Sequence, residues 1–197
     1  MILASASPRR QQLLKTLIPE FTVFPADLDE DALTTADPFE TARGLALAKA
    51  QHVAELRPGS LIIGGDTVVA IPTDSGFQQL AKPLNPAHAV EMLQTLAGKR
   101  HVVTTGIAVV YPGGAESSHG ETWVTFRELA EAEILDYVAS GEPLDKAGSY
   151  GIQGAARAFI TQIDGPEDNV IGLPTDQLRA LLAATADRLG FSSVSFG

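Results

Sequence analysis

Cysteine is absent from the 197-residue chain. That absence excludes disulfides, thiolate metal sites and cysteine nucleophiles together, and it fits a reducing cytoplasm. Long apolar runs are also missing, and no stretch approaches the length of a membrane span. The N-terminus has no basic segment ahead of its apolar residues, and that run is too short for a signal peptide. The expectation is a soluble, cytoplasmic protein with no membrane partner. Several catalytic signatures are missing too. There is no GxxxxGK[ST], no HExxH and no GxSxG, which sets aside the P-loop, the helical zinc site and the usual serine-hydrolase elbow. The four histidines are scattered singly and read as surface or structurally satisfied residues.

Positive charge is scarce. Lys and Arg total 14 against 24 Asp and Glu, giving a net charge of −10. Such a chain is a poor general binder of nucleic acid or anionic membrane, because phosphate contacts need clustered cations. It can still bind one small anion if its few cations are gathered locally, so their positions are informative. Hydrophobic residues make up 45% and charged residues 19%, enough to bury a real core. No internal repeat, low-complexity tract or linker divides the chain, so one domain over 1–197 is expected.

The pattern of apolar residues gives the elements. Ile2 to Ala4 reads as a short buried strand, residues 8–17 as a helix and Phe21 to Phe24 as a strand. Residues 38–56 read as a helix with Asp37 as N-cap and Pro38 at the first helical position. Leu61 to Ile71 is apolar and β-branched on both sides of a Gly-Gly-Asp interruption, which suggests a central strand. A helix is expected over 86–96, ended by "GKR". Residues 101–111 and 121–127 read as strands of a hairpin around a Gly-rich turn. A helix over 131–139, a Gly-rich loop over 145–154, a strand over Ala158 to Ile163 and a closing helix over 174–189 complete the chain. The fold class is α/β, or mixed α+β, with a mixed sheet. The hairpin argues against a purely parallel doubly wound sheet.

The first candidate site is "SASPRR". Ser7 is a good N-cap and Pro8 suits the first helical position. The helix N-terminus then faces the loop after the first strand and is suited to an anion. Arg9 and Arg10 lie in the first turn, where the helix dipole disfavours cations. A multiply charged anion resolves that conflict; two solvated arginines on a surface helix are the plainer reading.

Asp66 in "GGDTVV" interrupts an apolar run, where a carboxylate is disfavoured and costly if buried alone. It reads either as a cap at a strand end or bulge, or as a metal ligand or general base. Lys82 in "LAKPLNP" precedes Pro83, which holds it in extended backbone. In "DKAGSYGIQG", three glycines enclose Lys146, Tyr150 and Gln153. The spacing is not the dinucleotide fingerprint. It reads as an ordered surface loop, or as one that wraps a ligand and reads a base edge. With Lys49 and the acidic "DLDED" at 27–31, the set suits a polyphosphate bound through a divalent metal. Most of that acidic run reads as a solvated loop.

These segments carry a resemblance. "LASASPRRQQLL", "GGDTVV", "AKPL", "GKRHVVTTGIAVV", "DKAGSYGIQG" and "VIGLP" stand in the order and at about the spacing of the Maf family, over nearly the whole chain. Maf proteins are nucleoside triphosphate pyrophosphatases. The resemblance implies a fold similar to inosine triphosphate pyrophosphatases: a long mixed sheet flanked by helices, with two lobes and a cleft. It implies substrate contacts from Ser7, Arg9, Arg10, Thr67 and Gln153, and Lys146, the cation of the 145–154 loop, is expected to bind substrate beside them. Asp66, Lys82, Lys49 and Glu30 match catalytic positions, and Glu30 and Asp66 would hold Mg²⁺ or Mn²⁺. Arg9, Thr67 and Gln153 match positions tied to base selection. The chain departs at Gly65, where family members usually have Ala, and at Ala81, where they usually have Gly.

The 145–154 loop resembles the subfamily that acts on dTTP and UTP. The implied reaction is water attack on the α-phosphorus, releasing pyrophosphate and a monophosphate. The alternatives are the sibling 7-methyl-GTP activity and a non-catalytic nucleotide-binding regulator of cell division. Retention of Asp66 and Glu30 favours an enzyme over a binder. Relatives are often homodimers, and a homodimer is the expected assembly.

Overall fold

The structure is a computed structural model that describes residues 1–189. Its strands are β1 (Ile2–Leu3), β2 (Thr22–Val23), β3 (Ile62–Thr73), β4 (Gly76–Leu80), β5 (Arg100–Tyr111), β6 (Gly114–Phe126) and β7 (Ile160–Asp164). They form one sheet in the order β2-β1-β3-β5-β6-β7, with β4 also paired to β3. Pairing is parallel among β2, β1 and β3 and antiparallel elsewhere. The helices are α1 (Pro8–Leu17), α2 (Pro38–Leu56), α3 (Pro86–Leu96), α4 (Glu131–Ala139), α5 (Glu167–Ile171) and α6 (Thr175–Arg188). The architecture is the mixed α/β sheet with flanking helices expected from the sequence. Among the described residues, no helix is long and apolar enough to cross a membrane.

β3 organises the molecule. One of its edges carries β5 along most of its length, from Ile62 to Ala70. The other edge is divided. β1 pairs with Ile62 and Ile63, and β4 pairs with Val69 to Thr73. Residues 64–68 therefore have no strand neighbour on that side, and Asp66 and Thr67 lie in the gap. The chain leaving β1 (Ala4 onward) and the chain leaving β4 (Ala81 onward) flank it.

Three apolar clusters hold this frame. α1 and α6 pack Leu14, Leu17, Leu178 and Leu182 against Leu3, Ile63, Ile107 and Val109. On Ile62 and Ala108, α2 lays Ala46, Ala50 and Val53. α3, α4 and the far half of the sheet bury Leu93, Leu96, Phe126, Ile134, Tyr150 and Phe159. The α2 contact depends on glycine. A Cβ on Gly64 would lie 2.0 Å from the Ala46 carbonyl oxygen, and one on Gly106 would lie 2.0 Å from that of Ala42. Small residues on both surfaces let the helix backbone rest on the strands.

Most expected elements are present with shifted ends. β4 is an addition to the expected elements: it is a short edge strand, and Leu80 is its one buried residue. β6 begins at Gly114 rather than 121, since Ser117, Ser118 and His119 hide its pairing with β5. Glu142–Asp145, Ala147–Ser149 and Ala155–Phe159 form 3₁₀ turns, so that the strand expected from Ala158 begins at Ile160.

His101 is the fully buried histidine, and its Nδ1 has no hydrogen-bond partner among the described residues. It meets Tyr150 Oη at 2.8 Å through Nε2 and packs edge-on against Phe126. Burial lowers its pKa from 6.5 to about 4. Between these values the unfolded chain takes up a proton that the folded protein refuses. Stability is therefore complete above the unfolded value and falls as pH drops from 6.5 towards 4, by about 3 kcal/mol in all. Melting temperatures of the wild type and His101→Gln from pH 4 to 7 check this. The variant is expected to show the flatter profile; equal slopes would place the acid lability elsewhere.

Candidate active site

The gap in the β3 edge opens into a cavity of about 410 Å³. All ten residues singled out from the sequence line it: Ser7, Arg9, Arg10, Glu30, Lys49, Asp66, Thr67, Lys82, Lys146 and Gln153. Five cations meet there (Arg9, Arg10, Lys49, Lys82 and Lys146) with three carboxylates, Glu30, Asp66 and Asp145. In a chain with only 14 Lys and Arg, that gathering makes the cavity suited to a polyanion.

α1 begins at the cavity as the sequence suggested. Ser7 Oγ accepts from Arg10 N–H at 3.3 Å and Pro8 opens the helix. The two arginines behave differently. Arg9 reaches Asp145 Oδ2 at 3.4 Å through a partly exposed side chain. Arg10 is buried, and its Nε donates to the Gly172 carbonyl at 2.8 Å. Its Nη1 donates to Ser5 Oγ at 2.6 Å and its Nη2 to Thr67 Oγ1 at 3.1 Å. Arg10 thus ties α1 to the end of α5 and to β3. It shares the inward face of α1 with Leu14 and Leu17, a phase visible in the sequence at spacings of four and seven. A Cβ at Gly65 would lie 2.9 Å from Arg10 Cδ, so the glycine at this departure from the family pattern makes room for the arginine.

Thr67 continues the network. Its Oγ1 lies 3.0 Å from Thr105 Oγ1. Thr105 Oγ1 donates to the Asn169 carbonyl at 2.8 Å, so Thr67 supplies the proton of their shared bond. Asn169 also accepts from Thr105 N–H and donates to Val103 O and Thr122 Oγ1. Sequence reasoning missed Ser5, Asn169, Gly172 and Asp145. Ser5 stands inside "SASPRR" and Gly172 inside "VIGLP", whereas nothing local marks Asn169, which acts through residues more than 40 positions away.

Asp66 is held by Lys49, whose Nζ lies 2.6 Å from Asp66 Oδ1 and 2.8 Å from Glu30 Oε1. The side chains of Lys49 and Asp66 are 11% and 13% exposed, that of Glu30 50%. Burial raises the pKa of Asp66 above the ordinary carboxylate value, while the Lys49 and Arg10 charges oppose the rise. Asp66 Oδ2 has no hydrogen bond among the described residues. A carboxylate with raised pKa and one free oxygen in a cation-lined cavity is suited to accept a proton.

Glu30 and Asp66 already hold one cation between them, the Lys49 ammonium. Paired carboxylate oxygens are the hard donors that Mg²⁺ or Mn²⁺ prefers. Among the described residues, no group of three or more His, Asp or Glu could hold a metal ion. Glu30 and Asp66 would therefore be a partial set of protein ligands for such an ion.

Lys146 Nζ donates to the Glu142 carbonyl at 2.5 Å and to Asp145 Oδ1 at 2.7 Å. Lys82 and Gln153 line the cavity, and the Gln153 side chain makes no hydrogen bond among the described residues.

The Maf family, described as Maf-like protein, matches residues 1–185. A dTTP/UTP pyrophosphatase of Moorella thermoacetica is 46% identical over 185 residues, covering 93% of each chain. One from a Geobacillus species is 44% identical over 174 residues, covering 88% of this chain and 91% of the relative. A HAM1 protein from Coxiella burnetii has a similar fold, with a TM-score of 0.53 at 15% identity, over 93% of this chain and 98% of that one. On the family match and these identities, the chain belongs to the Maf family.

Proposed function

We propose that this protein hydrolyses dTTP and UTP to the nucleoside monophosphate and pyrophosphate. The observation that carries the reading is the convergence of five cations and the Glu30–Lys49–Asp66 cluster on one cavity. Its support from relatives is the 43 to 46% identity to proteins named dTTP/UTP pyrophosphatase.

The residues act as follows. Arg9, Lys82 and Lys146 receive the triphosphate beside the N-terminus of α1, and Ser7 caps that helix. Arg10 fixes the helix and Thr67 relative to each other. Lys49 orients Asp66 through Oδ1, and Asp66 takes a proton from a water at its other oxygen. That water attacks the α-phosphorus, the bond from this phosphorus to the bridging oxygen breaks, and pyrophosphate leaves. Glu30 and Asp66 would hold Mg²⁺ or Mn²⁺, which when bound neutralises charge on the phosphate oxygens. Positioning and charge neutralisation supply most of the rate enhancement in this chemistry. Gln153, free and at the cavity wall, presents both a donor and an acceptor. That matches the N–H at position 3 and carbonyl at position 4 of thymine or uracil, and cytosine reverses the pattern.

The test is a panel of canonical and modified nucleoside triphosphates with Mg²⁺ or Mn²⁺, assayed for pyrophosphate against free phosphate. Pyrophosphate and a monophosphate are expected, with dTTP and UTP ahead of dCTP and CTP. Diphosphate with free phosphate as the main products would overturn the reading. Preference for 7-methyl-GTP would move the protein to the sibling activity, and binding without turnover would make it a regulator.

A further inference from the structure

The turn that carries Gln153 is held at both ends by one side chain. Gly151 N–H donates to Tyr137 Oη at 3.3 Å, and Tyr137 Oη donates to Glu142 Oε1 at 3.0 Å. Ala155 N–H donates to the other oxygen, Glu142 Oε2, at 3.2 Å. The Glu142 backbone carbonyl receives Lys146 Nζ, whose stem lies against Gly151. Within the turn, Gly154 N–H donates to Gly151 O at 3.1 Å.

The glycines make this arrangement fit. A Cβ on Gly154 would lie 1.8 Å from Glu142 Oε1, and one on Gly151 would lie 2.7 Å from Lys146 Cε. The residues around Gln153 are anchored: Tyr150 and Ile152 are 5% and 3% exposed, and Ala156 is fully buried. Gln153 and Ala155 are exposed, and of the two Gln153 faces the cavity as part of its wall. Burial and the neighbouring Glu142 raise the Tyr137 pKa, so the phenol keeps the proton it donates.

We propose that Glu142 is a positioning residue for base selection: by clasping Gly151, through Tyr137, and Ala155, it fixes the turn that presents Gln153 to the nucleotide base. The role deepens the pyrophosphatase reading above and rests on it. Glu142 itself stays off the cavity wall and acts only through the turn. An amide that reads a base edge discriminates in proportion to how firmly it is held, because a loose amide can reorient to suit the wrong base.

Two measurements on the full chain test this. The first is amide hydrogen exchange of the ligand-free protein. Glu142→Ala is expected to speed exchange at Gly151 and Ala155, with β5 unchanged. Tyr137→Phe should free Gly151 alone. Glu142→Gln should restore protection, since its amide oxygen can accept from Ala155 while its N–H₂ donates to Tyr137 Oη.

The second is kcat and KM for dTTP, UTP, dCTP and CTP. Glu142→Ala should raise KM for dTTP and UTP roughly tenfold, as for loss of a hydrogen-bonded contact, with kcat nearly constant. The preference for dTTP over dCTP should narrow by a similar factor, and Glu142→Gln should recover most of it. Unchanged exchange at both amides in Glu142→Ala overturns the clasp. Faster exchange with unaltered base preference, or an equal loss on all four substrates, overturns the role in selection. If the wild type hydrolyses no nucleoside triphosphate, the pyrophosphatase reading and the selection role fall together, while the exchange data still decide the clasp.

Discussion

Asp66→Asn is expected to lower kcat/KM by roughly 10²-fold or more, the scale on which removal of a general base acts. The folded protein should be no less stable. Burial holds the Asp66 pKa above its ordinary value. Over the window between the ordinary and the raised value, the folded protein binds a proton that the unfolded chain does not. Stability therefore falls as pH rises through that window, and asparagine removes the fall. Lys49 keeps Glu30 as a partner at 2.8 Å. The melting temperature of Asp66→Asn at neutral pH should match or exceed that of the wild type. The same shift predicts that activity rises with pH through a pKa above the usual carboxylate range, a limb the variant should lack. Near-wild-type turnover would remove Asp66 from the mechanism, and a clearly lower melting temperature with lost activity would make it a structural residue.

Arg10→Gln should unfold more easily than the wild type by about 3 kcal/mol, taking about 1 kcal/mol for each of the three acceptors that lose their donor. For a chain of this size that corresponds to a fall of roughly 6–12 °C in melting temperature. The acceptors are Gly172 O, Ser5 Oγ and Thr67 Oγ1. This departs from the expectation that first-turn arginines burden the free protein until an anion arrives. That expectation is kept for Arg9, whose partner Asp145 is exposed and whose ion pair is worth little in water. Arg9→Gln should leave the melting temperature unchanged and raise KM. Scanning calorimetry of both variants without ligand separates the roles. Equal melting temperatures would mean that the Arg10 network contributes nothing net to folding.

The contrast between these arginines marks where sequence reasoning stops. Adjacent in the chain, both read as cations at a helix N-terminus. Helical phase alone distinguishes them, since Arg10 shares a face with Leu14 and Leu17. What that face meets, Gly172 more than 160 residues away, is a tertiary fact.

Local chemistry determined a good deal without the fold. Ser7 and Pro8, Asp37 and Pro38, and Asn85 and Pro86 each start a helix where the sequence places one, because an N-cap oxygen and a preset φ act within four residues. The apolar run over 61–71 became β3, since β-branched residues fit a buried strand wherever it pairs. Scarce charge pointed to Arg9, Arg10, Lys49, Lys82, Lys146 and Asp66, while Thr67 and the choice of Glu30 within the acidic run came from the resemblance to the Maf family. Only the tertiary structure decided that β1 and β4 share one edge of β3 and leave residues 64–68 without a strand neighbour on it. Only it joined Lys49 to both Glu30 and Asp66, and Glu142 to both ends of the Gln153 turn. Strand pairing and side-chain contact between distant segments depend on register and packing, which no local pattern encodes.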